Sequence, residues 1–356
     1  MQSHTSRDAI HHSNYYQAVD MARVIAIHFF LLLFLAVSHV AFLSGLDASE
    51  LEDTSPSSSV ALRVSFMKPY VDFVLSPESA SIADAMRGEN SVQYSPNEAV
   101  DMSLLLMIKN FGIQYSGRLN SFAGDEDTYG RTDYMDLHGF GYAYNIAIDI
   151  VYQKYKGFYM DDPGSHIPSW NSGDPYPQRR DLQVTTMGLN YFYIFSPGNF
   201  SFRAAFNQTQ RQRKSAGSFI FLISPFSYKV ESDSSLTPAG EDVLYGRDAG
   251  FFRGSFTTLS AAPGFFYTLV FESDFFITVG AFAGGGVQQY LYETALEDMR
   301  GNSYMYKVNG RISTGYNTDN YYLGFSANYD YAYLKMKESA ISFTIFYGEL
   351  YGGIRF

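Results

Sequence analysis

Residues Tyr321-Tyr322-Leu323-Gly324-Phe325-Ser326-Ala327-Asn328-Tyr329-Asp330-Tyr331-Ala332-Tyr333-Leu334 read with a period of two. One face is Tyr321, Leu323, Phe325, Ala327, Tyr329, Tyr331 and Tyr333; the other is Tyr322, Gly324, Ser326, Asn328, Asp330, Ala332 and Leu334. Successive side chains of a strand point to opposite faces, so this segment presents one apolar face and one mixed, more polar face. The stretch before it repeats the pattern. Tyr304, Tyr306, Val308, Gly310, Ile312, Thr314 and Tyr316 stand against Met305, Lys307, Asn309, Arg311, Ser313 and Gly315. Between the two lies Asn317-Thr318-Asp319-Asn320, a tight-turn composition.

The alternation recurs along the chain. Val100, Met102, Leu104, Leu106 and Ile108 oppose Asp101, Ser103 and Lys109; Phe111, Ile113, Tyr115 and Leu119 oppose Gly112, Gln114, Ser116 and Arg118. Ile146, Ile148, Ile150 and Tyr152 alternate with Asp149 and Gln153, and Phe275, Ile277, Val279, Ala281 and Ala283 with Thr278, Gly280, Gly284 and Gln288. A soluble sandwich also alternates. Two features favour a membrane barrel. Aromatics crowd near strand ends, at Tyr191-Phe192-Tyr193, Phe265-Phe266-Tyr267 and Tyr329 to Tyr333, as in the girdles of outer-membrane barrels. The opposite faces carry Gly, Ser, Thr, Asn and isolated charges, as a narrow polar lumen would. In hydrocarbon every backbone polar group needs an internal partner, so such a sheet must close.

Composition agrees. The chain has 356 residues, 46% hydrophobic and 17% charged, with 30 Tyr and 31 Phe. The average soluble domain is about 25% charged. So many aromatics with so few charges exclude disorder. With no Cys there is no disulfide framework, thiolate metal site or Cys nucleophile. A net charge of -11 excludes a nucleic-acid partner, which needs basic surface. No cofactor and no metal are implied.

Val24 to Ser38 is an uncharged apolar run behind Arg23, ending in the small-residue site Ala36-Val37-Ser38, and reads as a secretory signal. Ser44-Gly45 is a second cleavage candidate, Met21 a candidate true start, and a retained anchor the alternative. The organisation expected is a signal over 1–46, a linker over 47–59 and an all-β transmembrane antiparallel barrel over 60–356. Strands are expected at 60–74, 99–108, 111–119, 133–143, 146–159, 181–195, 200–225, 252–271, 275–292, 303–316, 321–334 and 340–356. That is about twelve, with ten or fourteen open; an even number leaves both ends on the periplasmic side. Pro69 makes the first strand uncertain. Alternation slips near Gln208 to Lys214, so 200–225 is one bulged strand or two strands with a tight loop. Short turns fall at Lys109-Asn110, Tyr144-Asn145, 196–199, 272–274 and 317–320. Longer polar links fall at 120–132, 160–180, 227–250, 293–302 and 335–339, and are expected on the outer side.

Tyr94-Ser95-Pro96-Asn97, the run Tyr152 to Tyr159, Arg180-Asp181-Leu182, Phe200 to Phe206 and Lys214 to Ser218, in that order, resemble a family of uncharacterised Gram-negative outer-membrane barrels with a domain of unknown function. The likeness covers most of 60–356. It implies a barrel in the outer membrane and supplies no activity and no site residues.

The expected lumen charges are Asp101, Arg118, Asp149, Arg203, Lys307, Arg311 and Asp330. They would form either a selective solute path or a paired network that fills a narrow barrel; buried charges need partners, which favours the network. Arg211, Arg213 and Lys214 form a basic cluster that, if external, would meet outer-leaflet lipid phosphates. After the signal only His138 and His166 remain as bases. His138 reads as near an outer strand edge without a Ser nucleophile, and His166 as a solvated loop residue. Gly284-Gly285-Gly286 lies inside a strand, where glycine marks a bend rather than a nucleotide loop. Asp125-Glu126-Asp127 matches no cation loop. The C-terminal strand ends at Phe356, a feature read by barrel-assembly machinery. Expected partners are therefore that machinery, outer-membrane lipids and lipopolysaccharide. The role expected is structural or envelope-interaction with a largely filled lumen. A narrow channel is the second reading and a lipid- or lipopolysaccharide-modifying enzyme the third.

Overall fold

A computed structural model describes residues 60–356 except 88–89, 98–99, 119–124 and 272–273. The expected signal over 1–46, the start at Met21 and the linker over 47–59 lie outside the described residues. Among the described residues thirteen antiparallel strands form one sheet: β1 (Val60–Ser76), β2 (Val92–Ser95), β3 (Asp101–Ile108), β4 (Phe111–Arg118), β5 (Asp133–Ala143), β6 (Ile146–Met160), β7 (Gln178–Ile194), β8 (Ala216–Glu231), β9 (Arg253–Val270), β10 (Phe275–Glu293), β11 (Asp298–Asn317), β12 (Tyr321–Lys335) and β13 (Ala340–Arg355). β1 pairs with β13 from Ala61↔Arg355 to Ser76↔Ala340, and the Phe356 amide donates to the Val60 carbonyl at 2.9 Å. The sheet is a closed barrel, with β1 and β13 sealing it.

The barrel tapers. β1 pairs through Val60–Met67 with β3 and through Phe73–Leu75 with β2. β2 reaches across to β6 at Tyr94↔Met160 and Ser95↔Tyr159. At the level of the short turns the ring holds every strand but β2, hence twelve; at the opposite rim β2 alone replaces β3, β4 and β5, leaving ten. The four-residue β2 is what the sequence reading lacks, because so short a segment shows no period. Pro69 fits within β1 because it falls between the β3 and β2 partners, where no ladder donor is called for on that side. Where β6 changes partner, its register shifts between Lys156 and Phe158. Gly157 takes φ +91 there, and a Cβ would lie 2.1 Å from the Arg131 carbonyl oxygen, so the bulge requires glycine.

One expected strand is corrected. Residues 200–215 are not strand; they hold a π-helical turn, Arg203–Asn207, and only Ala216–Glu231 is β8. Phe200, Phe202 and Phe206 alternate along the sequence, but their rings pack inward on Phe192 and Phe266, so the period of two belongs to a folded-in segment. The expected link 293–302 shrinks to 294–297 because β11 begins at Asp298. Of the aromatic runs, Tyr193, Phe265 and Tyr267 face out while Phe192 and Phe266 are buried inside. Tyr331 and Tyr333 are covered, in a cluster with Ala85 of the helix Ile82–Arg87.

The outward faces form an apolar belt: Leu62, Val64 and Phe66 on β1; Leu104, Leu106 and Ile108 on β3; Phe219, Phe221 and Ile223 on β8; Phe275 and Val279 on β10. Farther along β8 the same face carries the exposed Lys229 and the half-buried Glu231. The strands therefore span the bilayer at the short-turn end and project beyond it at the other. Val279 is 53% exposed in the middle of the belt, whereas Val243, 92% exposed, lies in the short helix Asp242–Tyr245 of the projecting end. Val279→Arg should lower the unfolding free energy in lipid by roughly 2–4 kcal/mol, and Val243→Arg by less than about 0.5 kcal/mol. Urea titration of both variants in vesicles checks this, and equal effects would disprove the belt.

Candidate functional site: the charged lumen layer

Inside the belt, β1 presents Ala61, Arg63, Ser65 and Met67, all buried. The Arg63 guanidinium pairs with Glu349 of β13 at 3.1 Å and donates to Gln114 of β4 and to the Phe206 carbonyl, each at 3.1 Å. Ser326 donates to the same glutamate at 3.1 Å. Farther around the ring, His138 of β5 lies between two carboxylates, with Nε2 at 3.0 Å from Asp136 and Nδ1 at 3.2 Å from Asp149. Both ring nitrogens can donate to carboxylates only in the imidazolium form. Arg311 of β11 approaches the other Asp149 oxygen at 3.4 Å and stacks over Phe192, Phe202 and Phe206 at 5.2, 5.8 and 5.7 Å. Lys307, 1% exposed, faces Asp330 at 3.4 Å and the Phe226 ring at 4.2 Å. Asn309 bridges Asp330 (2.9 Å) and Arg311 (3.2 Å).

Four cations (Arg63, His138, Lys307, Arg311) thus meet four carboxylates (Asp136, Asp149, Asp330, Glu349). A charge-neutral layer of this kind satisfies the requirement that buried ions be paired. Two small cavities, about 40 and 50 Å³, remain within it and share walls at His138, Asp149, Arg311, Asn328 and Tyr347. They have room for a few water molecules.

Apolar packing closes the lumen on both sides of this layer. At the short-turn end the segment after β7 folds in, and Phe202 lies 4.8 Å from both Phe192 and Phe206. Arg203 fastens the segment by donating to the Asn110 side chain (2.8 Å) and the Lys109 carbonyl (2.9 Å), and Arg355 by donating to the Gln208 carbonyl (2.8 Å). At the other end residues 232–252 cross the mouth, with Leu236, Tyr245 and Phe251 buried in a cluster that includes Phe226, Tyr228 and Phe256. Asp248, 0% exposed, accepts from the Tyr292 hydroxyl (2.5 Å), the backbone amides of Glu338 (2.8 Å) and Ser339 (2.7 Å), and the Ser339 hydroxyl (2.8 Å). That carboxylate ties the crossing segment to the β12–β13 turn.

The structure brings Asp149, Lys307, Arg311 and Asp330 together. Asp101 and Arg118 face each other across β3 and β4, and Arg118 donates to the Thr132 carbonyl at 2.9 Å. Arg203 belongs to the folded-in segment rather than to a strand. His138 is corrected from an outer strand edge to the middle of the lumen, and with both nitrogens engaged it offers no base. His166 is corrected from a solvated position; it is half-buried, 2.9 Å from Glu241 and 3.3 Å from the Ser91 carbonyl. Arg211 lies against Asp274 and Asp319, at the short turns rather than among the long links. Asp125 caps the short helix Glu126–Tyr129, accepting from the Asp127 amide. Among the described residues no group of three or more His, Cys, Asp or Glu could hold a metal ion. The sequence reading missed Arg63, Asp136 and Glu349. For Arg63 the signal is the alternation of Arg63 and Ser65 with Leu62, Val64 and Phe66 on β1.

A model of the family described as Domain of unknown function (DUF4421) matches residues 54–356. The chain belongs to that family. Among solved structures the chain is similar to the outer membrane protease OmpT from Escherichia coli, at 10% identity and a TM-score of 0.37, over 87% of this chain and 100% of that one. It is also similar to the translocator domain of the autotransporter NalP from Neisseria meningitidis, at 10% identity and 0.29, over 95% and 99%. A third likeness is to the Pseudomonas putida toluene transporter TodX, at 7% and 0.26, over 86% and 92%. At TM-scores this low, none of the three likenesses bears on activity. No curated protein matches. The family membership fixes no chemistry, so the layer itself must be tested. Removing one partner of a buried pair strands the other, so Arg63→Met should cost roughly 3–5 kcal/mol. Adding Glu349→Leu to it should restore most of the loss, because both charges are then gone. A thermal or urea titration of the two variants checks this, and no recovery in the double variant would refute the pairing.

Proposed function

We propose that this family member is a structural or envelope-interaction barrel of the Gram-negative outer membrane, exported by its N-terminal signal, with its lumen filled rather than conducting. One observation carries the reading: the neutral charged layer sits between two apolar closures, the folded-in segment 200–214 below and the crossing segment 232–252 above. A solute path needs a continuous polar passage and groups free to bind and release. Here the candidate selectivity groups Asp149, Lys307, Arg311 and Asp330 are engaged with one another and with aromatic faces. The barrel's outer surface then carries the interactions, with membrane lipids around the belt and with envelope components at the projecting end. β13, with Phe356 directly after it, fits recognition by the assembly machinery, since it is the strand that closes the ring against β1.

Planar-bilayer recording on the purified barrel tests the reading. The wild-type protein should show no stepwise current. Deleting 200–214 or 233–250 singly should leave it silent, because the closures act in series, and deleting both should give small steps. Steps from the wild-type protein whose ion selectivity changes on Arg311→Ala or Asp330→Ala would establish the channel instead.

A further inference from the structure

A separate cavity of about 200 Å³ opens at the short-turn end, away from the lumen layer, with Arg211, Arg213, Phe271, Asp274, Phe275 and Asn317 in its wall. Its height in the membrane is set by its neighbours. Tyr267, Leu269 and Phe271 on β9 and beyond it, and Phe275 on β10, are 37–46% exposed on the lipid face. The Phe271 and Phe275 rings lie 5.6 Å apart. The apolar belt therefore runs down to the β9–β10 turn, and the cavity opens where acyl chains give way to headgroups. Its charges are of both signs. Arg213 is exposed and makes no ion pair or hydrogen bond among the described residues. Arg211 lies between Asp274 and Asp319, and the Asp274 side chain remains 40% exposed, so part of that carboxylate is open to a ligand.

We propose that this rim cavity holds the headgroup of a zwitterionic phospholipid bearing a primary ammonium. The fork of the Arg213 guanidinium takes the phosphate, a geometry arginine matches with two parallel hydrogen bonds. Asp274 takes the ammonium, and the acyl chains lie along Phe271 and Phe275. The basic cluster thus faces phospholipid at the short-turn leaflet, not the outer-leaflet phosphates expected from sequence. The inference needs only membrane insertion; it stands whether or not the lumen conducts.

Native mass spectrometry of the full chain, stripped of lipid in detergent and reloaded, is the test. Phosphatidylethanolamine should be retained in preference to phosphatidylglycerol. Arg213→Ala should reduce retention by roughly tenfold or more, as expected for losing a hydrogen-bonded charge. Asp274→Asn should erase the preference for the ammonium lipid. Arg180→Ala, an exposed cation at the opposite rim, should leave retention unchanged. Heat-dependent gel migration confirms that each variant is a folded barrel. Three results would each overturn the proposal: undiminished retention by Arg213→Ala, equal uptake of the two lipids by the wild-type protein, or displacement of the lipid by inorganic phosphate.

Discussion

An open sheet edge in hydrocarbon leaves a row of amides and carbonyls with no partner, and each such group costs several kcal/mol. The pairing of β1 with β13, continuous from Ala61↔Arg355 to Ser76↔Ala340, removes that edge. The rest of the molecule depends on the closed ring. Closure sets the circumference, the circumference sets the width of the lumen, and a lumen of this width is neither solid with short side chains nor wide enough to be a water-filled pore. Long side chains reach across it. Arg311 spans from β11 to Asp149 on β6, and Arg63 from β1 to the Phe206 carbonyl of the folded-in segment.

Polarity reverses along single strands. On β8 the outward residues Phe219, Phe221 and Ile223 are followed on the same face by Ser227, Lys229 and Glu231. The inward residues of the projecting half are Phe226, Tyr228 and Val230, all buried. Where lipid surrounds the ring, the outside is apolar and the inside can hold ions. Where water surrounds it, the hydrophobic effect acts inward as in any soluble domain. The crossing segment 232–252 belongs to that second regime: Leu236 and Phe251 complete the apolar core of the projecting end. The narrowing from twelve strands to ten at β2 helps, because a smaller ring leaves less core to fill.

The charged layer is an assembly of residues distant in sequence. Arg63 and Glu349 are 286 positions apart and are neighbours only because the first and last strands meet. Arg311 and Asp149, 162 apart, face each other across the lumen rather than along a ladder. Alternation identified Asp149, Lys307, Arg311 and Asp330 as inward, since facing is a property of one strand. Which inward charge meets which depends on stagger and strand order around the ring. His138 shows the difference. Its local run Asp136-Leu137-His138-Gly139 gives no hint of Asp149, which β6 brings opposite through the pairing of His138 with Val151 and Phe140 with Asp149.

An all-β reading, most strand positions, the two faces of β3, β4, β6, β10, β11 and most of β12, and the need for closure are legible in the residues alone, because a period of two and the chemistry of a lipid-immersed backbone are local constraints. That 200–215 turns inward, that β2 narrows one rim, and that the ions of the lumen neutralise one another emerges with the closed ring. Those outcomes depend on space inside a closed ring. Phe200, Phe202 and Phe206 read as a strand face in one dimension, and they fold into the lumen because Phe192, Phe266 and Phe282 offer an apolar surface that no single segment could reveal.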